Sequence, residues 1–227
     1  VTIVAEHINK LVTSLRSFEQ RYEKPAGSVK LLAVSKRQSI EKIAEAHSAG
    51  LKDFGENYLQ EALEKIEKLK PLDLNWHFIG PIQANKTKPI AEEFQWVHSV
   101  DRTKIALRLN EHRADSRLPL NVCVQVNLSN EANKSGVALQ DAEDLCVCIA
   151  RLPHLKLRGL MAIPAPLSVF DAQRVCFRLL ANEFVRLQSL YPQMDTLSMG
   201  MSNDYEAAIA EGSTLLRIGT GIFGPRE

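Results

Sequence analysis

Apolar positions along the chain switch repeatedly between two periods. Residues 4 to 22 place Val4, Ile8, Leu11, Leu15, Phe18 and Tyr22 three or four apart, the spacing of one helical face. VKLLAV (29–34) is short, apolar and β-branched, which predicts a strand. SIEKIAEAHSAG (39–50) returns to helix, with Ser39 as N-cap and Gly50 as its stop. KDFG predicts a very short strand. The following ENYLQEALEKIEKL puts Leu59, Leu63 and Ile66 on one helical face and the pairs Glu61/Lys65 and Glu64/Lys68 on the other. LNWHFIG (74–80), QWVHSV (95–100), LNVCVQVNL (120–128), KLRGLMAI (156–163), DTLSMG (195–200) and TLLRIG (214–219) read as strands. Helices are expected between them: around 83–93, from Asp101, over about 138–151, and after Pro166 with Cys176, Leu180, Phe184 and Leu187 on one stripe. DYEAAIAEG is a short last helix.

Strand and helix thus alternate eight times, with short connections and no break in composition. That order implies a parallel sheet. At 227 residues it predicts a single-domain (β/α)8 TIM barrel over 1–227, with an extra N-terminal helix. A doubly wound open sheet is the alternative, but no G-x-G-x-x-G follows the first strand.

Composition narrows the function. Hydrophobic residues make up 45% and charged residues 24%, ordinary for a soluble domain. A net charge of +1 without long single-sign runs argues against a nucleic-acid surface, yet allows one local anion site. The apolar runs are too short to cross a bilayer, and no basic stretch followed by an apolar one suggests a secretory signal. Cys123, Cys146, Cys148 and Cys176 lack any C-x-x-C or histidine cluster. Free thiols in a reducing cytoplasm are expected, and no metal site.

In a TIM barrel the chemistry lies at the C-terminal ends of the strands. Strand one ends at Lys36, an amine that either reaches along its stem to water or is held at the barrel mouth to attack a carbonyl. Strand two leads to Asn57, and strand three to His77 and Gly80. SMGMSND is a small-residue turn that opens a helix near Ser202, and RIGTGIFG brings Gly219, Gly221 and Gly224 together. Each stretch alone reads as turn chemistry. As the seventh and eighth strand ends together they predict an anion cup of backbone amides. A lysine facing a phosphate cup suits pyridoxal 5′-phosphate (PLP). Arg217, two residues before Gly219, either points at the cofactor's ring nitrogen or makes a salt bridge at the mouth. His77 is weighed as a proton carrier or a hydrogen-bonded interior histidine, with the second favoured. Tyr58, Trp76 and Trp96 are expected to pack, and His98 and His154 have no evident partner. Lys86 and Lys88 are solvated or attract phosphorylated ligands, and Lys134 is a rim candidate for a second cofactor molecule.

LLAVSK, FGENYLQE, WHFIGPIQANK, RGLMAIP, LSMGMSNDYEAAI and RIGTGIFGPR, in this order, resemble the pyridoxal-phosphate homeostasis protein family, the bacterial YggS and eukaryotic PROSC group. The resemblance spans essentially the whole chain. It implies the alanine-racemase barrel without its second domain, with Lys36 as Schiff-base lysine and Arg217 facing the ring nitrogen. It also implies phosphate contacts from Ser202, Gly219 and Thr220 and from the backbone near Met199 and Gly200, with Asn57 beside the cofactor. One departure is Ser39, where the family often has proline.

Three functions compete. The favoured one is a cytoplasmic, monomeric PLP carrier in vitamin B6 homeostasis, with PLP-dependent apoenzymes as recipients. The alternative is a weak PLP-dependent amino-acid racemase, for which the base normally supplied by a second domain is missing. The third is a barrel for another sugar or nucleotide phosphate, with Lys36 as counter-charge.

Overall fold

The computed structural model describes residues 2–113, 117–128 and 135–225. Lys134 lies outside them. Helix α1 (Ile3–Arg21) comes first, capped by the Thr2 hydroxyl. Then follow β1 (Lys30–Val34), α2 (Ile40–Ser48), β2 (Asp53–Glu56), α3 (Leu59–Lys68), β3 (Asn75–Phe78), α4 (Thr87–Glu93), β4 (Trp96–Val100) and α5 (Thr103–His112). The second half runs β5 (Leu120–Asn127), β6 (Val137–Ala138), α6 (Ala142–Ala150), β7 (Leu155–Ala162), α7 (Phe170–Leu190), β8 (Thr196–Ser198), α8 (Tyr205–Ala210), β9 (Leu215–Ile218) and α9 (Thr220–Phe223).

The sheet order is β4-β3-β2-β1-β9-β8-β7-β5, and β4 also pairs with β5. The eight strands therefore close into a parallel TIM barrel, as the alternation predicts. The two-residue β6 hangs from the end of β5 through Val126 and Val137, outside the ring. Closure removes every edge from the eight-stranded ring and leaves strands buried on both faces. Hence β5 does not alternate in exposure: Val122, Cys123, Val124 and Val126 are all buried. Ile43, Ile90, Ile105, Leu109, Ile149, Leu180 and Leu187 are buried on the outer helices, within the main core. Leu32, Val34, Ile79 and Leu215 form a separate apolar cluster contributed by β1, β9 and the end of β3.

Helix α1 packs against α2, α8 and α9, as its apolar stripe requires. Its last turn carries a buried acid: Glu19 accepts N–H bonds from Gly27 (3.0 Å) and Val29 (2.9 Å), fixing the entry into β1. Several expected boundaries shift. Helix α5 starts at Thr103, because Arg102 is extended (φ −164°). Helix α6 starts at Ala142, because β6 and a 3-10 turn occupy Val137–Asp141. On α7 the buried stripe runs through Phe177, not Cys176, which is half-buried. Lys65 is not on an exposed face at all; it is buried beneath β1 and β2. All four cysteines are free, and no helix among the described residues is long and apolar enough to cross a membrane.

Candidate active site at the C-terminal mouth of the barrel

Lys36 follows β1 on a peptide held from both sides. The preceding Ser35 donates its hydroxyl to Glu56 Oε1 (2.7 Å), and its carbonyl accepts from Lys65 Nζ (2.7 Å). The following Arg37 takes a left-handed φ of 58° and donates its N–H to Glu61 Oε1 (2.5 Å). Lys65 Nζ binds both carboxylates, at 2.8 Å to Glu56 and 2.5 Å to Glu61. One buried ammonium thus ties β1, β2 and α3 together directly behind Lys36. Burial pushes the Glu56 carboxyl pKa up, against the pull of Lys65. An ion pair this deep gains little net stability, because desolvation offsets attraction, yet losing one partner strands the other. Its evident effect is geometric.

Asn57 continues β2 into the mouth. Its Oδ1 is buried and has no partner among the described residues. The Asn57 backbone passes so close to Gly80 that a Cβ there would sit 2.2 Å from the Asn57 carbonyl oxygen. The glycine after β3 is thus a packing requirement.

Arg217 on β9 is 3% exposed. Nη1 donates to Ser198 O (2.6 Å) and Ser198 Oγ (2.8 Å), and Nη2 to Ala162 O (2.8 Å). A guanidinium has five N–H donors, so among the described residues Nε and one Nη2 hydrogen stay uncommitted. Burial pushes its pKa down to about 10, against the attraction of Asp204, and it remains a cation at neutral pH. Of the two sequence readings for Arg217, no salt bridge within 4 Å forms among the described residues; carbonyls and a hydroxyl hold it instead.

The last two strands supply the cup. Between β8 and α8 the Met201 N–H donates to Asp204 Oδ1 (2.6 Å), shaping the turn. Ser202 Oγ accepts the Gly221 N–H (3.4 Å), joining this turn to the first turn of α9. The leading N–H groups of a helix have no intrahelical acceptor, which suits an anion.

Lys36, Asn57, Ser202, Arg217, Gly219 and Thr220 all line one cavity of about 330 Å³. Met199 and Gly200 do not. Met199 is buried in the core, with its N–H on Leu215 O (3.2 Å). Gly200 (φ 95°) abuts Ala208 and accepts the Arg217 N–H (3.0 Å), so it supports the arginine from behind. Asp204, Gln173 and an apolar wall that includes Ile163, Pro164 and Leu167 also line it. Sequence reasoning did not single these out. Asp204 stood within SMGMSND, where an aspartate three residues from Met201 is a turn signal.

Other candidates fall into place. His77 and His98 lie inside the barrel and bond each other (2.9 Å). Trp96 stacks on His77 and carries Arg158 over its ring (4.4 Å). Trp76 is buried against Phe54. Tyr58, expected to pack, is exposed beneath Arg37. Lys86 borders a neighbouring recess that shares Asn57, and Lys88 faces Glu92 across 3.9 Å in solvent. Among the described residues no cluster could hold a metal ion.

Known proteins share this design. The model of the alanine racemase N-terminal domain matches residues 8–227. A pyridoxal phosphate homeostasis protein of Pseudomonas aeruginosa is 55% identical over 227 residues, covering all of this chain and 97% of that protein. The structure of PipY from Synechococcus elongatus with PLP bound superposes with a TM-score of 0.82 at 36% identity, covering 97% of this chain and all of that one. Alanine racemase from Corynebacterium glutamicum, 18% identical with a TM-score of 0.68, shares the fold over 98% of this chain and 61% of its own. With its barrel, its strand-end residues and these matches in agreement, the chain belongs to the pyridoxal phosphate homeostasis protein family, built on the alanine racemase N-terminal domain.

Proposed function

We propose that the cavity binds pyridoxal 5′-phosphate, that Lys36 holds it as a Schiff base, and that the chain serves cytoplasmic vitamin B6 homeostasis by keeping and supplying this cofactor. The observation that carries the reading is the convergence of an amine, a partly uncommitted guanidinium, an orphaned amide oxygen and a helix-start cup on one cavity. PLP, when bound, supplies an aldehyde that condenses reversibly with an amine and a ring that withdraws electrons.

The chain's residues suit that group. The clamp of Lys65, Glu56 and Glu61 fixes the backbone on either side of Lys36, so its amine is presented at the mouth. Asn57 Oδ1 offers an acceptor to a ligand hydroxyl. Arg217 donates only, so toward a ring nitrogen it holds an unprotonated acceptor and weakens the ring as an electron sink. Ser202, Gly219 and Thr220 offer hydroxyl and amide donors to a phosphate. The PLP-bound PipY and the names of the relatives support the same ligand and task.

A weak amino-acid racemase is the second reading. Racemisation needs a base on each face of the substrate carbon. Besides Arg217, the ionisable groups of the lining are Lys36 and Asp204, and Asp204 already accepts the Met201 N–H. A donor-type ring partner and this short supply of bases favour a carrier, with residues 1–227 acting as one monomeric barrel that delivers PLP to dependent apoenzymes.

Borohydride reduction followed by peptide mass measurement tests the reading. About one pyridoxyl phosphate should be fixed on the Lys36 peptide and none on Lys36→Ala. Stoichiometric binding that leaves no reduced adduct on Lys36 sinks the Schiff-base assignment. Rapid solvent-deuterium exchange at the α-carbon of alanine or another amino acid overturns the preference for a carrier.

A further inference from the structure

The cofactor reading leaves several buried polar groups without a role. His77 on β3, His98 on β4 and Ser198 on β8 are no more than 1% exposed. They form one line of contacts. Arg217 Nη1 lies 2.8 Å from Ser198 Oγ, which lies 2.9 Å from His98 Nδ1. His98 Nε2 lies 2.9 Å from His77 Nδ1, and His77 Nε2 lies 3.1 Å from Asp53 Oδ1. Asp53 opens β2 and is partly exposed in a recess at the N-terminal mouth. The line therefore crosses the barrel interior, from the ligand cavity to the opposite opening.

Both ends fix its direction. A guanidinium only donates, and an ionised carboxylate only accepts. Ser198 Oγ accepts from Arg217, so its own hydrogen is directed to His98 Nδ1. His98 then carries its proton on Nε2 and donates to His77 Nδ1. His77 likewise carries its proton on Nε2 and donates to Asp53. Both rings must be neutral for this polarity. Burial lowers both pKa values; Asp53 opposes this at His77 while Lys30 reinforces it, and His77 and Arg217 reinforce it at His98. Cys123 and Asp204 are the other ionisable groups that act on Arg217.

A serine hydroxyl is a rotor, and alone it could turn its hydrogen toward the guanidinium. Committed to His98, it shows Arg217 a lone pair instead. We propose that Ser198, His98, His77 and Asp53 are positioning residues for Arg217, a one-way hydrogen-bonded column that holds the guanidinium from the far opening of the barrel and so sets which N–H groups face the ligand. The column itself stands without the cofactor; only what Arg217 meets rests on the PLP reading.

Nitrogen-15 NMR of the chain without PLP tests the column directly. In the wild type at neutral pH both rings should be neutral Nε2–H tautomers, and Arg217 should show slowly rotating Nη groups. Asp53→Asn keeps a polar neighbour for His77 but can donate as well as accept. It should mix the tautomers and speed Arg217 rotation. Asp195→Asn removes the same charge from the same opening outside the column and should change neither. A charged ring, an Nδ1–H tautomer in the wild type, or an Arg217 signal indifferent to Asp53→Asn overturns the proposal. In PLP titrations, Asp53→Asn should weaken affinity about threefold and Asp195→Asn should not; equal losses indicate a diffuse field and also overturn it. If the wild type takes up no PLP, the functional reading falls, while the histidine and arginine signals still decide the column.

Discussion

The barrel has a recess at each mouth, and the ligand proposed above belongs to the smaller one. The N-terminal opening encloses about 540 Å³ among Lys30, Asp53, Trp96, Arg158, Asp195 and Thr214, against about 330 Å³ at the C-terminal opening. Pairing separates them. At the N-terminal mouth Arg158 binds Asp195 through two nitrogens (2.9 and 2.5 Å), reaches Asn121 (2.7 Å) and lies over Trp96. Asp53 takes bonds from His77 and Asn75. These groups answer one another. At the C-terminal mouth the Asn57 oxygen and part of the Arg217 fork have no partner among the described residues. Polar groups that answer one another around a hollow are structure; the Asn57 oxygen and the remaining Arg217 donors are what a ligand at the other mouth would meet.

Mutation at each mouth would break or sharpen this contrast. The largest expected effect is complete loss of borohydride-fixed PLP in Lys36→Ala, while Arg158→Ala retains it and costs about 1–2 kcal/mol in urea unfolding. Equal loss of PLP from both would erase the distinction. Next comes the clamp behind Lys36. Lys65→Met leaves Glu56 buried without its cation and should destabilise by about 3–5 kcal/mol. The double variant with Glu56→Gln should recover much of that, and an additive pair of losses would show no coupling.

Gly200→Ala should cost about 1–3 kcal/mol from its left-handed backbone, with further crowding against Ala208. Thermal unfolding measures this; an unchanged midpoint would refute the supporting role given to Gly200. Ser202→Ala should weaken PLP affinity by up to about tenfold, the worth of one hydrogen bond, with little change in stability. A titration showing no loss removes Ser202 from the cup.

The smallest effects concern pH. His77 and His98 have folded pKa values below their unfolded ones, because of burial. Below the unfolded value of about 6.5 the unfolded chain binds more protons, so stability falls as pH drops through that range. His98→Gln should flatten this slope in pH-dependent urea unfolding. Asp195, lowered by its bonds to Arg158 and Thr196 despite burial, adds a loss confined to more acidic conditions, below about pH 4. Glu56 runs the other way: its raised folded pKa means stability declines as pH rises from its unfolded value toward its folded one.

Local pattern carried the fold a long way. Each ring strand of the barrel overlaps a stretch read as a strand from sequence, and apart from β2 these are apolar runs, because a parallel barrel strand is short, apolar and bounded by turn residues. Ser39 caps α2 as expected, its hydroxyl oxygen accepting the Lys42 N–H. Errors arose where the signal is a phase or a boundary. On α7, Cys176 and Phe177 are adjacent, and apolar spacing did not resolve which faces inward. At α5, Asp101 resembled a cap, yet the extended Arg102 delays the helix. The candidate cavity was partly legible as a set of strand ends that barrel topology brings together: Lys36, Asn57, Ser202, Arg217, Gly219 and Thr220 line it, and Met199 and Gly200 do not.

The amino-acid order by itself determined the eight alternations, the lysine, arginine and glycines at their strand ends, and hence which residues share a mouth. Tertiary structure alone decided which of those residues are answered by other protein groups. Lys65 repeats in an ordinary surface-helix pattern, but acceptors from β1 and β2 draw it inside. His98 meets Ser198 across 100 positions of chain, and no local period records such a contact. Hydrophobic period is a property of neighbours in sequence; hydrogen-bond satisfaction is a property of neighbours in space.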